Sequence, residues 1–408
     1  MSFNIALTGL NAATQDLSVT SNNLANADTI GFKSSRAEFG DIYAATATGV
    51  SSTAVGNGVT VQEVAQQFSQ GNVETTGNSL DLAINGNGFF TVSNGGALSY
   101  TRDGEFQLNN TGQVVTATGA ALQVYAPLAN GGFNTGGLTD LTLNTNESAP
   151  QATSTANVTA TLPADATPPT TTTFDPSDPT SYNNTTSLTV YDSLGAAHTE
   201  SLYFIKGTAA NDWSVQTYID GNAVGTPQDL QYSNSGVLTN PANGEVTLPA
   251  YTPATGAADM NITLNLANTQ QTGDNFAVTA VSQNGFTTGT LTGINIDSTG
   301  VVQATFTNGR SVALGQVAMA NFANTQGLQQ EGNASWSQTT ASGSVVQGVA
   351  GGSGFGTIQS GSLEQSNVDT TAALVDMITA QRDYQANAQM IQTQDQMSQT
   401  IIQVTQSG

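Results

Sequence analysis

The chain has no cysteine among its 408 residues. That excludes disulfide stapling and thiolate ligation of metals. Cations are nearly as scarce: Lys and Arg number 6 against 29 Asp and Glu, for a formal net charge of -23. So acidic a chain cannot neutralise phosphates, which argues against partners such as nucleic acid or an anionic lipid surface. Proline is missing from both ends, since all 11 lie between Pro127 and Pro253. Proline breaks helix interiors and central strands, so the ends and the middle obey different rules. The middle reads as an inserted domain. No apolar run approaches the roughly 18 residues of a membrane span, and no membrane insertion is expected. The opening residues lack a charged region and an unbroken apolar region, the first basic residue being Lys33. The expectation is a protein that stays in the cytoplasm or leaves by a route that reads no cleavable signal.

Catalytic chemistry is equally thin. A single histidine, His198, cannot supply a multi-histidine metal site, and it reads as a surface or strand-edge residue. Gly86 and Gly88 precede no helix and no Lys-Ser/Thr pair, so they read as a turn and not as a phosphate loop. Asp175 to Asp178 and Asp297 to Gly300 lack calcium-loop spacing and read as ordinary turns. Aromatic residues are 7% of the chain. Trp213 and Trp336 read as core residues and not as a sugar platform. No catalytic residue, cofactor or metal site is expected.

What is present is periodicity at the ends. Phe3, Leu10, Leu17 and Leu24 recur every seven residues, with Ala6 and Ala13 between them. That spacing predicts a helix with a narrow apolar stripe, ending near Gly31. At the other end, no Gly or Pro occurs from Ser362 to Ser407. Met377, Tyr384 and Ile391 again stand seven apart, joined by Leu374, Ala380, Ala388 and Ile401. The run from Ser366 to Asp369 supplies a cap and an acidic first turn. A helix of about 40 residues, about 60 Å long, follows. Both stripes are too thin to hold a lone helix folded, so partners are expected along them.

Between the ends the pattern is β. Hairpins are expected at Ser79 to Val92 about the turn Asn85 to Gly88, at Glu105 to Thr116, and at Gly293 to Phe306. The last is separated from the others by the proline-containing zone, which suggests one β-domain split by an insertion. The insert carries short strands at Leu188, Ser201, Trp213 and Met260, as in a second sandwich or barrel. The Thr/Pro-rich stretch from about 152 to 186 reads as a surface crossing with edge strands, a glycosylated stalk being the alternative. The fold class is thus α+β and multidomain: terminal helices pairing as a coiled coil, a split mainly-β domain, and an inserted β-sandwich or barrel-like outer domain.

Three groups of residues carry a family resemblance. Asn22, Asn23, Leu24 and Asn26, continuing through Gly31, Phe32 and Lys33, resemble the N-terminal signature of flagellar axial rod and hook proteins. The runs Ser79 to Phe90, Tyr100 to Phe106 and Phe322 to Leu328 are similar to that family's shared β-domain. Leu363 to Asp369, with Asn367 and Asp369, and Met377 to Asn387, with Gln381, Arg382 and Asn387, resemble its C-terminal signature. Thr370 to Ala373 depart from it, where relatives often carry an acidic residue.

The resemblance implies an inner helical domain from residues 1–24 with 364–408 and an extended linking segment over 25–71. It also implies a split β-domain over 72–146 with 284–363, and an outer domain over 147–283. The length and insert point to the hook members of the family. The implied function is a subunit that polymerises into a flexible tube, a universal joint passing torque to the filament. Assembly would run through Phe3, Leu10, Leu17, Leu24, Leu374, Met377, Tyr384, Ile391 and Ile401. Implied partners are further copies of the chain, the distal rod, the hook cap, the hook–filament junction proteins and the flagellar type III export machinery. The implied location is the extracellular flagellum. A distal-rod-like protein, or an extracellular β-rich adhesin or carbohydrate-binding protein, are the alternatives.

Overall fold

The computed structural model describes residues 2–42, 56–143 and 147–406. Residues 43–55 of the expected linking segment lie outside them. The chain forms two compact units. Unit 1 takes residues 1–144, 293–305 and 311–408, and unit 2 takes 145–292 with 306–310.

Two helices belong to unit 1: α1, Ser2–Ala25, and α2, Thr370–Gln406. Helix α1 stops short of Gly31, through a turn in which the Asn26 amide bonds the Asn22 and Asn23 carbonyls. Gly31 is needed for a different reason. Its φ is +68°, and a Cβ there would stand 2.5 Å from the Asp103 amide nitrogen, so only glycine fits. Asp369 caps α2, its Oδ1 accepting from the amides of Thr371 and Ala372 at 2.9 and 3.0 Å. Between α1 and the β-core, Ser35–Asp41 pairs antiparallel with Val59–Gln66 as a two-stranded ribbon.

The main sheet of unit 1 joins chain segments from both sides of unit 2. Ser311–Asn321 pairs with Val301–Phe306 and also with Ala121–Tyr125 and Phe89–Asn94. Its core holds Leu82, Phe90, Phe106, Leu122, Val302, Val317 and Met319. A neighbouring aromatic group stacks Phe89, Tyr100, Phe322 and Trp336 with Phe68. The hairpin at 105–116 forms. The one expected at Ser79 to Val92 does not. Leu82–Asn85 pairs instead with Thr357–Ser360, while Phe89–Asn94 pairs with Ala97–Thr101 and Ala121–Tyr125. Gly86 and Gly88, at φ +115° and +117°, send the chain to a different sheet and do not fold it back on itself.

Unit 2 places two sheets over one apolar core. One runs through Asn184–Tyr191, Ala197–Lys206, Asp212–Ile219, Gln228–Tyr232 and Leu238–Asn240. The other is built around Thr155–Pro163, which pairs antiparallel with Ala277–Gln283 and parallel with Thr263–Asn265 and Gln270–Thr272. The first part of the Thr/Pro-rich stretch is therefore an interior strand and not a surface crossing. Ala156, Val158, Ala160 and Leu162 point into the core while threonines alternate outward. His198 also departs from expectation: it is buried, with Nδ1 2.5 Å from Asp220 Oδ2 and Nε2 3.2 Å from Asp192 Oδ2.

Candidate assembly surface

The two helices of unit 1 lie against each other. Gly9 meets Asn387, where an added Cβ would stand 2.6 Å from the Asn387 Oδ1. Asp16 lies near Asp376 and Asp383, and the turn after α1 reaches the start of α2, so the pair runs antiparallel. The buried residues of the two helices are mostly small: Ala6, Ala12, Ala13, Val19 and Thr20 on α1, with Ala373 and Ala380 on α2. Small side chains let helix axes approach closely. Counting from Gly9 beside Asn387, α2 runs about a dozen residues past the start of α1, roughly three turns.

The leucines of the expected stripe flank these residues. Leu10, Leu17, Leu24, Met377 and Ile391 are half-buried, whereas Phe3, Leu374, Tyr384 and Ile401 are exposed. Sequence periodicity missed their exposed neighbours Leu7, Val375, Ile378, Met390, Met397 and Ile402. These residues stand beside the seven-residue positions, so a search for one stripe passes over them. Phe3, Leu7, Leu374, Val375, Ile378, Met390 and Met397 together leave a broad exposed apolar face. Few soluble surfaces carry so much exposed apolar area except to bind.

A polar clamp fixes the helices to the β-core. Glu364 is fully buried. Its Oε1 accepts from Lys33 Nζ at 2.6 Å and from the Gly71 amide at 2.9 Å, and its Oε2 accepts from Arg102 Nη1 at 3.0 Å. Lys33 also donates to the Ser69 carbonyl, and Arg102 to the Gly86 carbonyl at 2.7 Å. Burial pulls both cations below their ordinary pKa, and the Glu364 charge opposes that pull. Arg102 and Glu364 were legible only as members of motif runs. Glu364 pairs with Lys33 across 331 positions and with Arg102 across 262, and neither pairing has a local signature.

The other motif residues serve the same junction. Asn23 exchanges two hydrogen bonds with the Ser35 backbone. Asn367 accepts from the Ser34 amide at 2.7 Å and donates to the Gln67 carbonyl at 2.7 Å. Asn26 donates to the Asn22 carbonyl, holding the turn after α1. Phe32 is half-buried beside this junction, while Gln381 and Arg382 are exposed on α2.

A cleft of about 450 Å³ lies between α1, the ribbon and the start of α2, lined by Asp16, Asn23, Arg36, Asn367, Asp369 and Asp376 among others. Burial, then the charges of Asp376 and Asp383, raises the Asp16 carboxyl above its ordinary value. The named side chains bring together carboxylates, amides and one guanidinium, a set suited to polar contact and lacking a nucleophile with its base. No group of three or more His, Asp or Glu suited to a metal occurs among the described residues. None of their helices is long and apolar enough to cross a membrane.

Helices near the two chain ends, clamped to a β-unit that a second β-unit interrupts in sequence, fit the resemblance to flagellar axial proteins that the motifs carry, and comparison with known proteins agrees. Residues 3–33 match the flagella basal body rod protein family, and 359–404 the C-terminal family of flagellar basal body rod FlgEFG proteins. Residues 83–169 match the flagellar hook protein FlgE/F/G D1 domain, and 157–286 the flagellar basal body protein FlaE D2 domain. Flagellar hook protein FlgE of Salmonella typhimurium is 38% identical over 98% of this chain and 99% of its own length. The Escherichia coli K12 protein of that name is 39% identical with the same coverage. The chain belongs to the flagellar hook protein FlgE family. In fold it resembles the crystal structure of Helicobacter pylori flagellar hook protein FlgE2, with a TM-score of 0.54 at 13% identity, covering 72% of this chain and 100% of that one.

Proposed function

We propose that the protein is the structural subunit of the bacterial flagellar hook, polymerising into a flexible hollow tube that transmits motor torque. Full-length similarity to hook proteins supports the role, and the exposed apolar face of the terminal helices, with Leu374, Val375 and Ile378, is the observation that carries the mechanism. In this reading α1 and α2 form a coiled-coil inner domain, residues 1–24 with 364–408, beneath a linking segment over 25–71. A split β-domain over 72–146 and 284–363 surrounds it, and residues 147–283 form the outer domain. Copies related by a rotation that does not close build an open helical filament. The distal rod, hook cap, junction proteins and export machinery are the further partners, and export proceeds without a cleaved signal.

Electron microscopy of the concentrated chain tests the reading: tubes or helical polymers are expected, and discrete particles at every concentration would refute it. Removing the outer domain is expected to leave a chain that still polymerises, into a tube of altered stiffness. Loss of folding in that deletion would count against the division into domains.

Charge gives a finer expectation. Arg382 is the only cation on either helix, against Asp16, Asp376, Asp383 and Asp395. In a polymer that packs these helices together, Arg382→Glu is expected to raise the concentration needed for assembly, more at low salt than at high. Equal critical concentrations for variant and parent at low salt would remove Arg382 from the interface.

A further inference from the structure

The inner face of Ala197–Lys206 carries one residue that the assembly reading leaves idle. Glu200 is 0% exposed, and neither carboxylate oxygen has a hydrogen-bond partner. Leu188 and Ile219 stand opposite it on the two neighbouring strands, and Leu202 follows it on the same face. All three belong to the apolar core of unit 2. An ionised carboxylate in such a place would lose its hydration with nothing in return, which proteins avoid by keeping the proton.

We propose that Glu200 is a proton-linked stability switch of unit 2: a neutral acid in the folded unit, whose retained proton stabilises the fold in acid and whose contribution is lost as the medium approaches neutrality.

The groups around it do not supply a counter-charge. On its own strand, Lys206 is turned to the carbonyls of Gly207, Ala209 and Asp212. His198, two residues away, is held by Asp192 and Asp220, and Thr255 donates to the same Asp192 oxygen. Asn184–Tyr191 offers only Tyr191 as a titratable group, and Asp212–Ile219 offers Asp212 and the outward Tyr218. In the facing sheet, Thr155–Pro163, Gln270–Thr272 and Ala277–Gln283 carry none. Further titratable groups are Tyr203 on the same strand, Asp229 and Tyr232 on Gln228–Tyr232, and Glu245, Asp259 and Tyr251, the last packed near His198. Burial alone accounts for the shift of Glu200, which is raised to about 7.

The sign follows from linkage. A carboxyl whose folded pKa lies above its unfolded value of 4.5 stabilises the fold most at low pH. As pH rises from the unfolded pKa toward about 7, the unfolded chain ionises first and stability falls, then levels. His198, raised above 6.5 by its two aspartates against the opposing effect of burial, loses its contribution in a higher window. The two windows meet near pH 6.5, so Glu200 is the one of the pair that acts between about pH 5 and 6.

The test uses the full chain with Trp336→Phe, so that Trp213 in unit 2 alone reports unfolding. For the parent, the unfolding constant is expected to rise by up to about tenfold per pH unit between about pH 5 and 7, the slope of one linked proton. Glu200→Gln is expected to be flat from about pH 5 to 6 while keeping the histidine-linked change that begins near 6.5. Curves that remain parallel would overturn the proposal. Should the variant fail to fold, infrared spectra of the parent decide: a protonated-carboxyl band persisting to neutral pH supports it, and one lost by about pH 5 refutes it. None of these readouts depends on polymerisation, so the inference stands or falls apart from the hook reading.

Discussion

Glu364→Ala is expected to lower the stability of unit 1 by about 3–5 kcal/mol, the cost of leaving buried charge without its partner. Two cations, Lys33 and Arg102, share this one carboxylate, and they are 1% and 5% exposed. Glu364→Gln keeps the shape and one acceptor but removes the charge, so it is expected to fall between parent and alanine variant. Denaturant unfolding followed through Trp336, which bonds Gln66 at 2.6 Å within the same unit, measures both. A loss below about 1 kcal/mol for the alanine variant, the range of an exposed ion pair, would mean that the clamp is solvated.

The second large effect separates assembly from folding. Leu374 and Ile378 are 48% and 51% exposed on α2. The double variant Leu374→Asp, Ile378→Asp is expected to leave monomer stability nearly unchanged, since exposed substitutions away from special features shift it by about 0.5 kcal/mol or less. Polymerisation is another matter. Full burial of each side chain contributes about 2 kcal/mol, and losing two such contributions raises the critical concentration by about a thousandfold. Sedimentation across a concentration series reads the effect. Ala13→Asp provides the contrast, because it strikes a buried position and is expected to damage fold and assembly together. Normal polymers from the double variant would show that this face does not carry assembly.

Much of this architecture was legible in the sequence, for reasons that also explain the gaps. Seven-residue spacing located both helices, because period is a local property. It did not say which residues of the stripe meet. Ala6 and Ala13 are buried and Leu10 and Leu17 half-buried, since close approach selects the smallest side chains. In Thr155–Pro163 the alternation of Ala156, Val158, Ala160 and Leu162 was present, but the threonine-rich composition outweighed it. His198 looked peripheral because Asp192 and Asp220, which hold it, lie in turns on either side of its strand. Glu364 was hidden most deeply, for nothing local distinguishes a carboxylate whose partners sit hundreds of residues away.

The clamp also has a mechanical meaning. Lys33 follows α1, Glu364 precedes α2, and Arg102 stands in the β-core between them. A pull on either terminus of the molecule thus reaches the same carboxylate before it reaches the main sheet of unit 1. Such a rivet shares load between the two ends, so neither helix can be peeled away without straining the anchorage of the other.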